Sequence, residues 1–152
     1  MYDCSLPVRK RLPHDVPFFI NPTAEIYFIT INCKVRGSNQ LWLSGVGEAL
    51  LESVRFRQGC DQWFVHLFLL MPDHVHALLT FPQESRGLQS TVSNWKRWTA
   101  KNCGVSWQRD FFEHRLRGEK ALSEKTAYIR ANPLRAGLAQ DPAEWPWWWS
   151  SN

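Results

Sequence analysis

The chain of 152 residues is long enough for one domain with a full-sized core, and 44% hydrophobic with 21% charged residues argues against a disordered protein. Its longest apolar stretch, Trp63 to Met71, contains a histidine and is too short to cross a bilayer, so we expect no membrane partner. Lys and Arg outnumber Asp and Glu by 18 to 14, which permits phosphate binding without requiring it.

The cysteine pattern bears on the compartment. Cys4, Cys33, Cys60 and Cys103 are widely separated and form no CxxC pair. This spacing argues against a zinc knuckle or a redox motif. We therefore expect reduced thiols in a cytoplasmic protein.

The first part of the chain predicts an arm, a strand and a helix. Residues 1 to about 24 form an irregular basic arm that carries Arg9-Lys10-Arg11 and three prolines. Residues 26–32 are β-branched and aromatic, which predicts a strand. Ser44 can cap a following helix that runs to about Gln58, where Gly59 ends it.

The middle of the chain predicts a hairpin and a second helix. Residues 63–71 are nearly all apolar and predict a central strand. Pro72-Asp73 makes a sharp turn into a second strand over residues 74–81. After a loop at 82–87, apolar residues at helical spacing predict a helix from 88 to about 102.

The last part predicts an edge strand, a third helix and a tail. Residues 111–117 alternate in a way that suits an edge strand. A helix follows from about residue 119 to Asn132, and Pro133 disfavours its continuation. Residues 141–152 form a tail rich in Pro and Trp, and no linker or repeat divides the chain. We expect one domain, 1–152, with an α+β fold of the ferredoxin-like (split βαβ) type.

Two histidines in the predicted hairpin are candidates for a metal site. Side chains alternate across a strand, so His74 and His76 project from the same face. Two imidazoles leave a metal incompletely coordinated, and the side-chain oxygen of Asn132 is a candidate third ligand. Mixed imidazole and oxygen ligation suits Mn²⁺, or Mg²⁺ when phosphate supplies further oxygens, and zinc stays open.

Tyr128 is a candidate nucleophile. It stands four residues before Asn132, so one helix could deliver both a phenol and a metal ligand. Metal polarisation of a phosphate would assist attack by a phenol whose ordinary pKa is about 10. Each pattern alone also has an ordinary interpretation: paired histidines are often surface or hydrogen-bonded residues, and a helical tyrosine is often a core residue.

Several stretches together resemble a known family. Residues 71–79, 107–117, 128–138 and 145–147 read MPDHVHALL, WQRDFFEHRLR, YIRANPLRAGL and WPW. In order and spacing they resemble the motifs of the single-tyrosine HUH transposases, and most closely those of the REP-associated tyrosine transposases. The resemblance covers roughly residues 20 to 150.

The resemblance implies an HUH endonuclease fold and a defined chemistry. It implies cleavage and rejoining of single-stranded hairpin DNA at REP elements through a 5′-phosphotyrosine intermediate, with a free 3′-OH. His74 and His76 match the metal-binding pair, Tyr128 the nucleophile and Asn132 the third ligand. Members of this branch can act as monomers, and related transposases act as homodimers, so either state is open. Asp73 stands where an asparagine is common, and we favour a role in the turn over a role beside the metal.

Basic residues near these motifs are candidate DNA contacts, with solvated surface positions as the alternative. They are Arg97, Lys101, Arg109, Arg115, Arg117, Arg130 and Arg135. His66 is expected to be a hydrogen-bonded core residue, and His114 an exposed edge residue.

Two other functions compete with strand transfer. The chain could be a binding module for structured single-stranded DNA that lacks turnover. It could also be a metal-dependent nuclease that uses water, with Tyr128 only positioning the substrate.

Overall fold

The structure is a computed structural model that describes residues 25–82 and 87–151. The basic arm at 1–24, with Arg9-Lys10-Arg11, and most of the loop predicted at 82–87 lie outside the described residues. The strands are β1 (Ile26–Asn32), β2 (Phe64–Leu70), β3 (His74–Thr80), β4 (Phe112–Leu116) and β5 (Trp148–Trp149). The α-helices are α1 (Val46–Gly59), α2 (Gly87–Cys103), α3 (Gly118–Arg130) and α4 (Asn132–Arg135), and a 3₁₀ turn covers Pro142–Glu144.

The described strands form one sheet in the order β4-β1-β3-β2-β5, with each neighbouring pair antiparallel. The hairpin strand β3 therefore lies at the centre, as predicted. The expected α+β architecture is confirmed, and β4 is the predicted edge strand. None of the described helices is both long and apolar enough to cross a membrane.

Helices cover the sheet on both faces. Val75, Ala77 and Leu79 of β3 pack into a core cluster with residues of α1 and α2. Leu78 points the other way and packs with Ile129 of α3 in a second cluster. Because side chains alternate along a strand, His74 and His76 share the face of Leu78 and look toward α3.

The start of α1 differs from the prediction. The N-cap is Gly45, with a left-handed φ of 79°, and no side chain caps the helix. The prediction that Ser44 caps this helix is wrong, because a glycine at positive φ turns the chain directly into the first helical residue. The amide of Val46 instead donates to the carbonyl of Leu43 at 2.8 Å.

The tail is docked on the body of the domain. Its short strand β5 pairs with β2, and Trp145 is buried with its ring centroid 4.5 Å from that of Trp42. The ring of Trp147 lies so close to Gly47 that a β-carbon there would clash with it. The glycine in α1 is therefore what lets the tail seat against the helix.

The thiols depart from expectation at one position. Cys33 and Cys103 are free, as predicted. Cys60 is disulfide-bonded, so the prediction that it is reduced is wrong.

Candidate active site

The two histidines of β3 form a rigid pair. Their ring centroids are 4.7 Å apart. Nδ1 of His74 lies 2.8 Å from the carboxylate of Asp73, and Nδ1 of His76 lies 3.0 Å from the hydroxyl of Thr30 on β1. When each Nδ1–H donates to its oxygen partner, each Nε2 is left as a free lone pair. Metal-binding histidines in proteins are commonly held by this kind of hydrogen bond.

Burial keeps both imidazoles neutral near pH 7. It lowers the pKa of His76 to about 3, with further lowering from His74, Arg135 and Lys125. Burial also lowers the pKa of His74, although the hydrogen bond and charge of Asp73 oppose this. A neutral imidazole is the form that binds a metal ion.

Asp73 does more than shape the turn. One carboxylate oxygen meets His74, and the other accepts from the amide of Gly37 at 2.8 Å and lies 3.5 Å from Nε of Arg36. Desolvation would raise the pKa of this carboxyl, but the bonds from Gly37 and His74 and the charge of Arg36 lower it overall. Our preference for a turn role alone is thus corrected, because the same side chain also orients His74.

Tyr128 meets the ring of His76 edge-on. It projects from α3, with its ring centroid 6.0 Å from that of His76 and 6.4 Å from that of Phe28. The next residue, Ile129, is fully buried against the sheet and fixes the helix in place. Tyr128 itself is 45% exposed, so part of its side chain can be reached from solvent.

Two cations flank the tyrosine ring. Nζ of Lys125 lies 5.0 Å from the ring centroid of Tyr128 and 4.5 Å from that of Phe28. The guanidinium of Arg135 lies 4.2 Å from the tyrosine ring and donates to the backbone carbonyl of Tyr128 at 2.9 Å. Neither cation pairs with a carboxylate in the part of the chain that the structure describes. These two positive charges make the surroundings of the tyrosine suited to an anion.

Asn132 follows the tyrosine by one turn, in a different helix from the one predicted. The helix α3 ends at Arg130, and α4 begins at Asn132 with Pro133 in its first turn. The carboxamide of Asn132 is half-buried and makes no hydrogen bond with any other described residue. Within residues 25–82 and 87–151, no three His, Cys, Asp or Glu side chains cluster around a possible metal position. An amide or substrate oxygen therefore has to complete a metal site on this pair.

Two known proteins are similar to the chain in sequence. No protein-family model matches the chain. The REP-associated tyrosine transposase of Escherichia coli strain K12 is 26% identical over 123 residues, which cover 79% of this chain and 73% of that protein. A Haemophilus influenzae protein provisionally given the same name is 26% identical over 111 residues, covering 60% of this chain and 62% of that protein.

A solved structure shares the fold. The REP-associated tyrosine transposase bound to a REP hairpin superposes with a TM-score of 0.72 at 23% identity, covering 82% of this chain and 76% of that one. The chain is similar to REP-associated tyrosine transposases in sequence and in fold. The resemblance seen in the sequence motifs is confirmed, and so is the α+β fold.

Three of the predicted DNA contacts lie away from the tyrosine. Arg97 and Lys101 are exposed on α2, which packs on the opposite face of the sheet. Arg115 pairs in register with Tyr27 on that same opposite face and bonds Glu25 at 2.7 Å. The structure does not bring these three side chains to the histidine pair.

The other predicted contacts lie on the connector or around α3. Arg109 is exposed on the connector before β4, and Arg117 is the exposed N-cap of α3. Arg130 stacks on Trp148 of the tail, with its guanidinium carbon 4.7 Å from the ring centroid. Of the seven predicted basic residues, Arg135 is the one in contact with Tyr128.

Sequence reasoning missed Lys125 and Thr30. Lys125 precedes Tyr128 by three residues, so helical spacing could have placed it on the same face. Thr30 could not be found this way, because its contact with His76 depends on the register between β1 and β3. The two other histidines match their predictions: His66 bonds Thr80 at 2.8 Å, and His114 is exposed on the edge strand.

Proposed function

We propose that this protein is a metal-dependent single-stranded DNA endonuclease and strand transferase that acts on REP-type hairpin DNA. The observation that carries the proposal is the seating of Tyr128 over His76, with His74 beside it, on one open face. The relationship to REP-associated tyrosine transposases supports the same activity.

In this proposal His74, His76 and Asn132 hold a divalent metal ion, Mg²⁺ or Mn²⁺. The donor set fits, because both Nδ1 atoms are engaged by neighbouring oxygens and both imidazoles are neutral near pH 7. When bound, such a cation polarises the scissile phosphate and stabilises charge on its oxygens.

The chemical step is a transesterification. The Tyr128 oxygen forms a bond to phosphorus and loses its proton to solvent, while the bond from phosphorus to the 3′ oxygen breaks. The 3′ oxygen takes up a proton and leaves as a 3′-OH, and the 5′ end stays on Tyr128 as a phosphotyrosine. Attack by a 3′-OH reverses the step and rejoins DNA. Lys125 and Arg135 offset the phosphate charge around the tyrosine during both directions.

The histidines and the tyrosine of the site come from one chain. We propose that the step takes place within a monomer, and a homodimer is the alternative assembly. The proposed place of action is the cytoplasm, where single-stranded REP hairpins can form.

Covalent trapping tests the proposal. Labelled REP hairpin with single-stranded flanks is incubated with the protein and Mn²⁺ or Mg²⁺, and adducts are identified by denaturing gel and mass spectrometry. We expect a DNA adduct on Tyr128 that Tyr128→Phe abolishes. Tyr27→Phe, which alters a tyrosine on the opposite face of the sheet, is the matched control and should retain the adduct.

The same assay separates the competing functions. Cleavage without an adduct, or an adduct that persists in Tyr128→Phe, would show that Tyr128 is not the nucleophile. Tight hairpin binding without cleavage under either metal would favour a binding module instead.

A further inference from the structure

Phe112 has no place in the core. It is 60% exposed, the most exposed large hydrophobic side chain in the described part of the chain. Its neighbour Phe111 turns inward and packs against the core cluster under α1 and α2. Among the described residues, no aromatic ring or cation lies against Phe112. A single exposed apolar residue is ordinary, so its position has to carry the argument.

That position is in line with the proposed site. Thr30 of β1 pairs in register with His76 on one side and with Phe112 on the other. Directly paired residues of antiparallel strands share a face, so these three side chains form one row across the sheet. Adjacent strands are about 4.8 Å apart, which puts Phe112 about 10 Å from His76. Stacked nucleotides advance about 3.4 Å each, so this distance spans about three of them.

The strand that presents Phe112 is held firmly. Nζ of the buried Lys96 donates to the carbonyls of Gln108 and Arg109 at 2.8 and 2.9 Å. The amide of Gln108 donates to the carbonyl of Asn32 at 2.8 Å. The segment leading into β4 is therefore fixed to both α2 and β1. A ring presented on a fixed strand loses little freedom when it stacks on a ligand.

The surroundings of the row suit DNA. The helix α3 packs over the centre of the sheet and leaves the β4 edge open, because four of the five β4 residues are exposed. Lys125 and Arg135 supply positive charge at the tyrosine end of the row, without carboxylate partners among the described residues. A phosphate held there would direct its neighbouring bases along the row toward Phe112.

We infer that Phe112 is a stacking platform for a nucleobase within about three nucleotides of the scissile phosphate. This inference rests on the proposed function for the position of that phosphate. The occupant is a base of single-stranded DNA, since both faces of a base inside a duplex are covered by its stacked neighbours. Base–aromatic stacking tolerates any base, so Phe112 contributes affinity without reading sequence.

The test measures binding and stacking separately from cleavage. Tyr128→Phe protein, which cannot form the covalent link, is titrated with fluorescent REP hairpin carrying single-stranded flanks. Adding Phe112→Ala should weaken binding about 5- to 150-fold, the range for loss of one base–aromatic stack. Adding Phe112→Trp should restore it. Phe56→Ala alters an exposed phenylalanine on α1 in the opposite layer and should leave binding unchanged.

An abasic scan gives the decisive readout. A single abasic site is moved through the three nucleotides on each side of the cleaved position. At one position the difference between Phe112 and Phe112→Ala proteins should disappear, because the stacking partner is gone. A loss of binding that persists with every abasic substrate would mean a structural effect on β4 and would overturn the inference.

The outcomes separate this inference from the proposed function. If wild-type protein forms the Tyr128 adduct but Phe112→Ala protein binds the hairpin normally, the stacking role of Phe112 is wrong. The proposed strand-transferase activity is then still supported. If the abasic scan identifies a stacking partner but no adduct forms, Phe112 does stack on a base, but the strand transferase is wrong and so is the position of that base relative to a scissile phosphate. Absence of hairpin binding by the wild-type protein would overturn both.

Discussion

The two faces of the sheet are built for different purposes. Under α1 and α2, the side chains of β3 are Val75, Ala77 and Leu79, all essentially inaccessible to solvent. Toward α3, the same strand presents His74 and His76 beside a half-exposed tyrosine. Alternate side chains of this one strand thus stabilise the core on one face of the sheet and form the candidate active site on the other. We call the second face the chemical face. The second face bears a desolvation cost, visible in the lowered pKa of His76.

The largest expected effect comes from breaking the chemical face. His76→Ala should reduce the rate of adduct formation on the order of 10³-fold. The substitution removes a proposed metal ligand and the ring that contacts Tyr128. The rate is measured by covalent trapping and the binding of Mn²⁺ by titration calorimetry. Thermal unfolding should change little by comparison with the rate. A variant that keeps both adduct rate and Mn²⁺ affinity would contradict the proposed role of His76.

The neighbouring residue should give the opposite result. Val75→Ala leaves a cavity in the closed core and should lower the free energy of unfolding by about 2 kcal/mol. Denaturant titration measures this loss. The adduct rate of the folded protein should stay near the wild-type rate, since Val75 points away from the tyrosine. A large fall in the adduct rate without a fall in the free energy of unfolding would contradict this division of roles between the two faces.

A substitution at Lys125 should have a smaller effect on the rate of adduct formation. Lys125→Gln removes a positive charge beside Tyr128 and should slow adduct formation about 10- to 100-fold, with a smaller change in hairpin affinity. Lys120→Gln is the matched control, because Lys120 is on the same helix, 91% exposed and 3.9 Å from Glu124. Equal effects of the two substitutions on the rate would argue for general attraction of DNA instead of a local role.

Much of the fold could be predicted because its signals are local. The strand at 26–32 was predicted with the bounds it has, and the hairpin and α2 within a residue or two at each end. Signals that depend on tertiary contacts were not available. The strand β5 is two residues long, and its pairing with β2 is seen only when the tail docks. The cap of α1 was missed because Gly45 replaces a side-chain cap with backbone geometry.

The candidate site was predictable to a different degree. Strand alternation placed His74 beside His76, and helical spacing placed Tyr128 beside Asn132. The family resemblance implied that the two pairs act together. Their roles as metal ligands and nucleophile stay predictions, as does the role of Asn132. Proximity in sequence was a poor guide to the basic residues. Arg115 lies near the motif in the chain but turns to the other face, because its parity on β4 decides its direction.

Asp73 has a consequence for anyone who wishes to re-engineer this scaffold. Its two oxygens join His74 to the backbone of Gly37 and the side chain of Arg36. The loop between β1 and α1 therefore helps to set the orientation of the His74 imidazole. If this loop is replaced by another, the new loop must keep the backbone amide at position 37. Without that hydrogen bond, the orientation of His74 relative to His76 would change together with the binding properties of the loop.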